Sequence, residues 1–168
     1  MWLALALAAC NQSTQHPALE VKGVPLGATK EQLLERMPSM TCKGNDCGTQ
    51  AHDDFGGAET TGYMASFRDG KLGSFYIRFK QSGTDQIIGA LTEKYGKPTK
   101  TSQQQMQNAF GARYESRGAD WRFPEGSIIV EQRGGSVDEG VVMMQADWYD
   151  AGNKAADTEK IKAGAKKL

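Results

Sequence analysis

The Asp69-Gly70 pair is the strongest constraint that this sequence places on its fold. It separates two stretches of alternating apolar and polar residues within the range 60–80. Asp-Gly supplies the two positive-φ conformations that a tight type I′ turn requires, so this range is predicted to form an antiparallel β-hairpin. The predicted cross-strand pairs are Arg68 with Lys71, Phe67 with Leu72, and Tyr63 with Tyr76.

Successive side chains of a strand point to opposite faces, so regular pairing sorts the hairpin residues into two sets. The predicted sets are Met64, Phe75, Ile77 and Phe79 on one face, and Tyr63, Phe67, Leu72 and Tyr76 on the other. One set is expected to contact the core, and the other would leave aromatic side chains on the second face of the sheet.

Aromatic side chains of the hairpin and of later strands form a candidate interaction surface, because Tyr and Trp are favoured at protein interfaces. Its predicted members are Tyr63, Phe67, Tyr76, Trp121 and Trp148. The alternative is that these side chains pack under a helix or against the C-terminal tail.

One helix is predicted before the hairpin and one after it. The first begins after Thr29, whose hydroxyl has a capping-box spacing to Gln32, and it ends before Pro38. The second is capped by Ser82 or Thr84 and ends at Gly96. Its apolar stripe comprises Ile87, Ile88, Leu91 and Tyr95.

The remaining pattern completes a fold-class prediction. Residues 40–58 are predicted to be a loop, and strands are predicted over 99–107, 121–123, 127–133 and 141–148. Hairpins build antiparallel sheets, so the expected class is α+β: an antiparallel sheet built from hairpins, with two helices packed on one face and a solvated C-terminal helix.

Composition divides the chain into four segments. We predict a leader over 1–10, a polar linker over 11–19, a single domain over 20–149 and a polar helical tail over 150–168. The chain carries 20 acidic and 20 basic residues, hence no net charge. Nucleic-acid binding needs a basic surface, so no nucleic-acid partner is expected.

The first ten residues decide the expected compartment. Residues 2–9 are all apolar, too few for a membrane span of about 20 residues but suited to the core of a secretory signal. Leu7-Ala8-Ala9-Cys10 resembles the lipobox of bacterial lipoproteins. The resemblance implies that Cys10 is lipidated on sulfur and becomes the first mature residue, anchoring the protein to a membrane. Asn11, which is not aspartate, implies the outer membrane rather than the inner one.

One feature of the leader departs from that pattern, since no Lys or Arg precedes the apolar run. Either the start of the chain lies upstream, or the chain is not exported. In the second case residues 2–9 would form a buried N-terminal strand or helix.

Cys42 and Cys47 remain once Cys10 is lipidated, and two cysteines in an oxidising compartment indicate a disulfide. The alternative is a metal site formed by Cys42, Cys47, His52 and Asp53, because zinc binds such ligands. The pair lacks the second pair of Cys or His residues that most zinc sites contain.

The sequence contains none of the motifs GxxxxGK[ST], GxSxG or HExxH. No catalytic residue and no cofactor are therefore predicted. The alternative function is a small envelope enzyme or metal-binding protein that uses Cys42, Cys47, His52 and Asp53.

The run Gly-Val-Pro-Leu-Gly-Ala-Thr-Lys-Glu-Gln-Leu at 23–33, with Cys42 following, resembles the opening of modules in outer-membrane assembly lipoproteins and β-lactamase inhibitory protein. Ala28 stands where that pattern prefers Met. Residues 91–98 are similar to bacterial and prophage-encoded lipoproteins of this size. The resemblance implies a non-catalytic, lipid-anchored module that binds or inhibits another envelope protein, on an outer membrane facing the periplasm.

Overall fold

A computed structural model describes residues 16–107, 110–134 and 136–165 of the chain, with side chains described up to residue 161. The predicted lipidation site Cys10 and the first part of the predicted linker lie outside the described residues. The structure is a mixed α and β protein in which antiparallel sheet dominates. None of the described helices is both long and apolar enough to cross a membrane.

Eleven strands, three α-helices and one 3-10 helix are described. The strands are β1 (Glu20–Val21), β2 (Val24–Pro25), β3 (Thr41–Lys43), β4 (Asp46–Thr49), β5 (Asp53–Phe55), β6 (Ala58–Arg68), β7 (Lys71–Lys80), β8 (Lys100–Gln107), β9 (Arg113–Phe123), β10 (Gly126–Glu131) and β11 (Glu139–Ala146). The helices are α1 (Lys30–Arg36), the 3-10 helix (Gln81–Gly83), α2 (Thr84–Tyr95) and α3 (Asp147–Ala165).

Nine of the described strands form one antiparallel sheet. Its order is β3-β4-β6-β7-β11-β10-β9-β8, with β5 also pairing with β6, while β1 and β2 form a separate hairpin. The predicted loop over 40–58 is wrong, because this range contains β3, β4 and β5. Those strands are short and polar, so their sequence carries little of the apolar alternation that marks a strand.

Local capping explains where the helices begin and end. The Thr29 hydroxyl accepts from the backbone N–H of Gln32, and the Gln32 side chain accepts from the backbone N–H of Thr29, which confirms the capping box. The predicted cap of α2 is wrong. Its N-cap is Gly83, which makes no side-chain hydrogen bond, because the preceding 3-10 helix leads the chain directly into α2. Gly96 ends α2 with a φ of 86°, as predicted.

The β6–β7 hairpin begins in the predicted register and then departs from it. Phe67 lies opposite Leu72, but the next pair is Ser66 with Ser74, so Gly73 is an additional residue in β7. Such a bulge shifts the facing of all residues beyond it. Tyr63 therefore lies opposite Ile77, and the predicted pairing of Tyr63 with Tyr76 is wrong.

The bulge brings members of both predicted face sets into one core. Tyr63, Phe67 and Leu72 are buried together with Phe75, Ile77 and Phe79, whereas Met64 pairs with Tyr76 on the opposite face. A buried row then crosses six strands in register. It comprises Cys47, Ala65, Phe75, Met144, Ile128 and Trp121.

Helices α1 and α2 contribute buried side chains to the same core cluster. Leu33 of α1 and Ile87 and Leu91 of α2 are buried there. The Trp121 indole N–H donates to the Gly96 carbonyl at 2.7 Å, which ties the end of α2 to β9. Removing this apolar surface from water provides the main driving force for the fold.

Trp148 was predicted on the last strand, and this prediction is wrong. Strand β11 ends at Ala146, after which the Asp147 N–H donates to the Glu125 carbonyl and α3 begins. Asp147 and Asp150 lie in the first turn of α3, where acidic side chains stabilise the positive end of the helix dipole.

The first turns of α3 dock on the end of the β6–β7 hairpin. A Cβ atom at Gly73 would overlap the Tyr149 ring, so the bulge residue provides the space that this ring occupies. The Arg68 guanidinium lies 4.9 Å from the centre of the Tyr149 ring, and it donates to the Tyr149 carbonyl and to the Asn153 side chain. The C-terminal helix is therefore anchored at its start.

Substitution of Gly73 by alanine is expected to displace Tyr149 and to destabilise the protein by about 1–3 kcal/mol, as overpacking does. The cost should shrink when Tyr149 is also replaced by alanine. Chemical denaturation checks both values. Gly89→Ala is the matched control, because a Cβ at this α2 position meets no atom within 4 Å and should stabilise the helix. Equal costs for Gly73→Ala in both backgrounds would contradict this contact.

Candidate functional site

The disulfide between Cys42 and Cys47 is confirmed. These residues lie directly opposite each other on β3 and β4, with Cα atoms 3.9 Å apart. Gly44 takes a positive φ of 61° in the intervening turn, as a tight hairpin turn needs. Cys47 is buried in the core, so the bridge fastens a short edge hairpin to the sheet.

We expect the untreated protein to be about 2 Da lighter than its reduced form, because oxidation of two thiols removes two hydrogens. Replacing both Cys42 and Cys47 by alanine should cost about 2 kcal/mol of unfolding free energy, given the short loop that the bridge closes. Intact-mass measurement and chemical denaturation check these values. Detection of two free thiols in the untreated protein would contradict the bridge.

The structure does not bring the alternative metal ligands together. The Cys42 and Cys47 sulfurs are bonded to each other, His52 Nδ1 lies 3.0 Å from Glu59, and Asp53 lies 2.6 Å from the Lys22 ammonium. Among the described residues, no group of three or more His, Cys, Asp or Glu side chains is placed to hold a metal ion.

Two carboxylates of this region, those of Asp53 and Glu59, serve as ion-pair partners. The hydrogen bond from Lys22, followed by that from the Asp54 backbone N–H, lowers the pKa of Asp53. The pKa of Glu59 is lowered by the hydrogen bond from Lys80 and then by that from His52. These side chains are largely exposed and form surface pairs, which contribute little to stability.

The predicted aromatic interaction surface is wrong for three of its five members. Tyr63, Phe67 and Trp121 are 2%, 3% and 1% exposed. The bulge at Gly73 brings Phe75, Ile77 and Phe79 onto the face that carries Tyr63 and Phe67, so this face is the core face, and Trp121 belongs to the buried row. Tyr76 lies on the opposite face of the sheet and is half-buried. Trp148 is 43% exposed and belongs to α3 rather than to a strand.

A second row of apolar side chains runs beside the buried row on the opposite face of the sheet. It crosses four neighbouring strands in register, and we call it the outer row: Met64, Tyr76, Met143 and Ile129. Met64 is 51% exposed, and the other three side chains are half-buried. At the spacing of neighbouring strands, the outer row is about 14 Å long.

Two depressions open at the ends of the outer row. One has a volume of about 380 Å³ and is lined by Met64 and Tyr76 together with Ser39, Thr41 and Arg78. The other, of about 220 Å³, lies between the sheet and the start of α3, and Ile129, Met143 and Lys154 contribute to its walls. Each depression therefore shares two of its lining residues with the outer row.

Two charged groups beside the outer row, Arg78 and Glu139, lie close to each other. The Arg78 guanidinium donates to the Gln50 side chain and lies 4.0 Å from the Glu139 carboxylate. Glu139 also accepts from the Thr61 hydroxyl at 2.7 Å. At this end of the row, an apolar partner would therefore meet a pair of opposite charges rather than a single charge.

This arrangement is suited to binding a protein surface. Methionine is flexible and polarisable, and it recurs where a surface must adapt to a partner. Tyr76 adds a rigid aromatic ring with a polar end, a combination favoured at interfaces. The sequence carried no signal for this site, because Met143 stands in the unbroken apolar run Val-Val-Met-Met at 141–144 and does not alternate with polar neighbours. The row itself follows only once the order and register of the strands are known.

Comparison with known proteins identifies one matching protein family. A search of curated proteins and a search of solved structures found no match. Residues 22–150 match a protein family described as "Uncharacterised protein", and this match covers more than half of the 168 residues. The chain therefore belongs to that family.

Proposed function

We propose that this protein is a lipid-anchored bacterial envelope lipoprotein that acts as a non-catalytic protein-interaction or inhibitory module. In this proposal Cys10 carries the lipid, and residues 11–19 hold the domain off the outer membrane on its periplasmic side. The partner is another envelope protein, which inserts apolar side chains along the outer row.

The anchor part of the proposal is supported by the sequence before the domain. An apolar run of signal-peptide length ends in small residues and Cys10, and polar residues follow directly. The Cys42–Cys47 disulfide adds independent support, since such bridges persist in oxidising compartments outside the cytosol.

The interaction part is supported by one observation above all, the half-exposed outer row of Met64, Tyr76, Met143 and Ile129. In this proposal α1 and α2 cover one face of the sheet, and the face bearing the outer row is the docking surface. Contiguous exposed apolar patches of this kind mark interaction sites. A lipid anchor would confine the protein to the membrane surface on which its partner resides, which raises the effective concentration of both.

Met64→Lys should reduce partner binding at least tenfold. It places a charge at the most exposed position of the outer row, and this charge would have to be desolvated when the partner docks. Folding should be unaffected, since the side chain is already half in solvent. Affinity capture from detergent-solubilised envelopes, with the captured protein quantified by mass spectrometry, measures the effect.

Leu34→Lys is the matched control, because Leu34 is also a partly exposed apolar residue but lies on α1. This variant should capture the same partner in the same amount as the native protein. Equal losses for the two variants, or no loss for Met64→Lys, would contradict docking on the outer row.

A further inference from the structure

Strand β8 forms one edge of the described sheet and has an unusual surface. Its eight residues, Lys-Thr-Ser-Gln-Gln-Gln-Met-Gln, are all exposed, so neither face of the strand is covered by a described helix or loop. Among the described strands β8 pairs with β9 alone, in a register that runs through eight pairs without a shift. One side of its backbone therefore faces outward.

Hydrogen bonds of the neighbouring strand fix which backbone groups face outward. The Gln132 N–H donates to the Arg117 carbonyl at 2.8 Å, so the backbone groups of Arg117 are directed towards β10. Successive residues of an antiparallel strand point alternately to its two neighbours. The backbone groups of Gly118 and Asp120 are therefore directed towards β8. On that same side, the Thr99 hydroxyl accepts from the Arg122 backbone N–H.

The register then assigns the residues of β8. Ser102 lies opposite Gly118, so the backbone groups of Ser102 are directed to β9. By alternation, the N–H and C=O groups of Thr101, Gln103 and Gln105 are directed away from β9, to the open edge. These three residues supply six regularly spaced backbone hydrogen-bonding groups on a strand without a bulge.

Natural sheets protect such an edge with charged side chains, proline, bulges or a very short strand. Strand β8 has none of these over its central residues. It is eight residues long, contains no proline, and carries a single charge, at its first residue Lys100. In contrast, the strand at the other edge of the sheet, β3, is three residues long and is fastened by the disulfide.

We propose that β8 pairs antiparallel with β8 of a second copy of this chain, joining the two sheets into one. Outward-facing residues must meet outward-facing residues, so the longest registers lie about Gln103 or about Gln104. Both place only uncharged side chains opposite Thr101, Gln103 and Gln105, and both align glutamine amides that can hydrogen-bond across the pair. Because every β8 side chain is exposed, no described group blocks this approach.

Co-purification of two differently tagged full-length chains, expressed together and extracted in detergent, tests this pairing. Native copies should co-purify. Gln103→Lys/Gln105→Lys should co-purify with itself about tenfold less, because like charges then lie opposite each other in either register. Gln103→Glu/Gln105→Glu should fail with itself in the same way. The lysine variant expressed with the glutamate variant should restore the native yield.

Gln86→Lys is the control for added charge, since Gln86 is exposed on α2, and it should co-purify as the native chain does. The charge reversal separates a second copy from a foreign extended peptide, because only self-pairing predicts rescue by the opposite variant. Failure of native copies to co-purify, or a lysine variant that pairs as well as the native chain, would overturn the proposal.

Discussion

Replacing Cys10 by alanine is expected to abolish membrane anchoring. The thiol is the only group of the proposed lipobox that can accept the lipid, so the variant should carry no fatty acyl label. A single acyl chain gives only marginal membrane binding, and stable anchoring needs more than one chain. The native protein should therefore fractionate almost entirely with membranes, and the variant should be recovered away from the outer membrane.

Metabolic labelling with a radioactive fatty acid, followed by membrane fractionation, measures both outcomes. The Cys42→Ala/Cys47→Ala double variant is the control, because the two cysteines that it replaces lie in the domain and not in the lipobox. It should be labelled to the same extent as the native protein. Globomycin, which blocks cleavage of lipoprotein signals, should make the native precursor accumulate. Native protein found unlabelled in the cytosol with its leader uncut would contradict the anchor.

Trp121→Ala should produce the largest loss of stability, about 3–5 kcal/mol of unfolding free energy. The side chain is 1% exposed at one end of the buried row that crosses six strands. Its removal leaves a cavity between β9 and α2 and also deletes the hydrogen bond to the Gly96 carbonyl. Small domains have total stabilities of about 5–15 kcal/mol, so the variant should be close to unfolding.

Trp121→Phe separates the two causes of this loss. It keeps most of the buried ring surface but removes the indole N–H, so its cost should be about 1–2 kcal/mol. Denaturant unfolding measures both values, provided that the slope of unfolding free energy against denaturant concentration is the same as in the native protein. A loss below about 1 kcal/mol for Trp121→Ala would contradict the central position of this residue in the core.

Features specified by neighbouring residues could be predicted from the sequence. The capping box of Thr29 and Gln32, the turn at Asp69-Gly70 and the end of α2 at Gly96 each depend on residues within one or two turns of backbone. The strand predicted over 99–107 and the disulfide were also predicted correctly. Local backbone preference and the oxidation of a cysteine pair suffice for these elements.

Features that depend on distant residues could not be predicted. The bulge at Gly73 makes room for Tyr149, which follows 76 residues later, and nothing within the hairpin announces that ring. A shift of one residue reverses the facing of a strand, so the bulge places Phe75, Ile77 and Phe79 on the same face as Tyr63 and Phe67 and makes that face the core.

The candidate site was missed for the same reason. Met64 belongs to β6, whereas Met143 and Ile129 come from strands more than 60 residues away, and they become neighbours only through the order β6-β7-β11-β10. Of the predicted aromatic surface, Tyr76 alone lies in the row. The predicted aromatic surface and the proposed docking surface therefore share this one residue, because the other outer-row residues come from distant strands.

Site-specific photo-crosslinking in living cells tests docking on the outer row most directly. Benzoylphenylalanine at position 64 should give one dominant adduct with an envelope protein, and Tyr76→Lys in the same chain should abolish it. The same crosslinker at position 86, exposed on α2, should give no such adduct. An adduct that forms equally from both positions, or that survives Tyr76→Lys unchanged, would contradict the proposed docking surface.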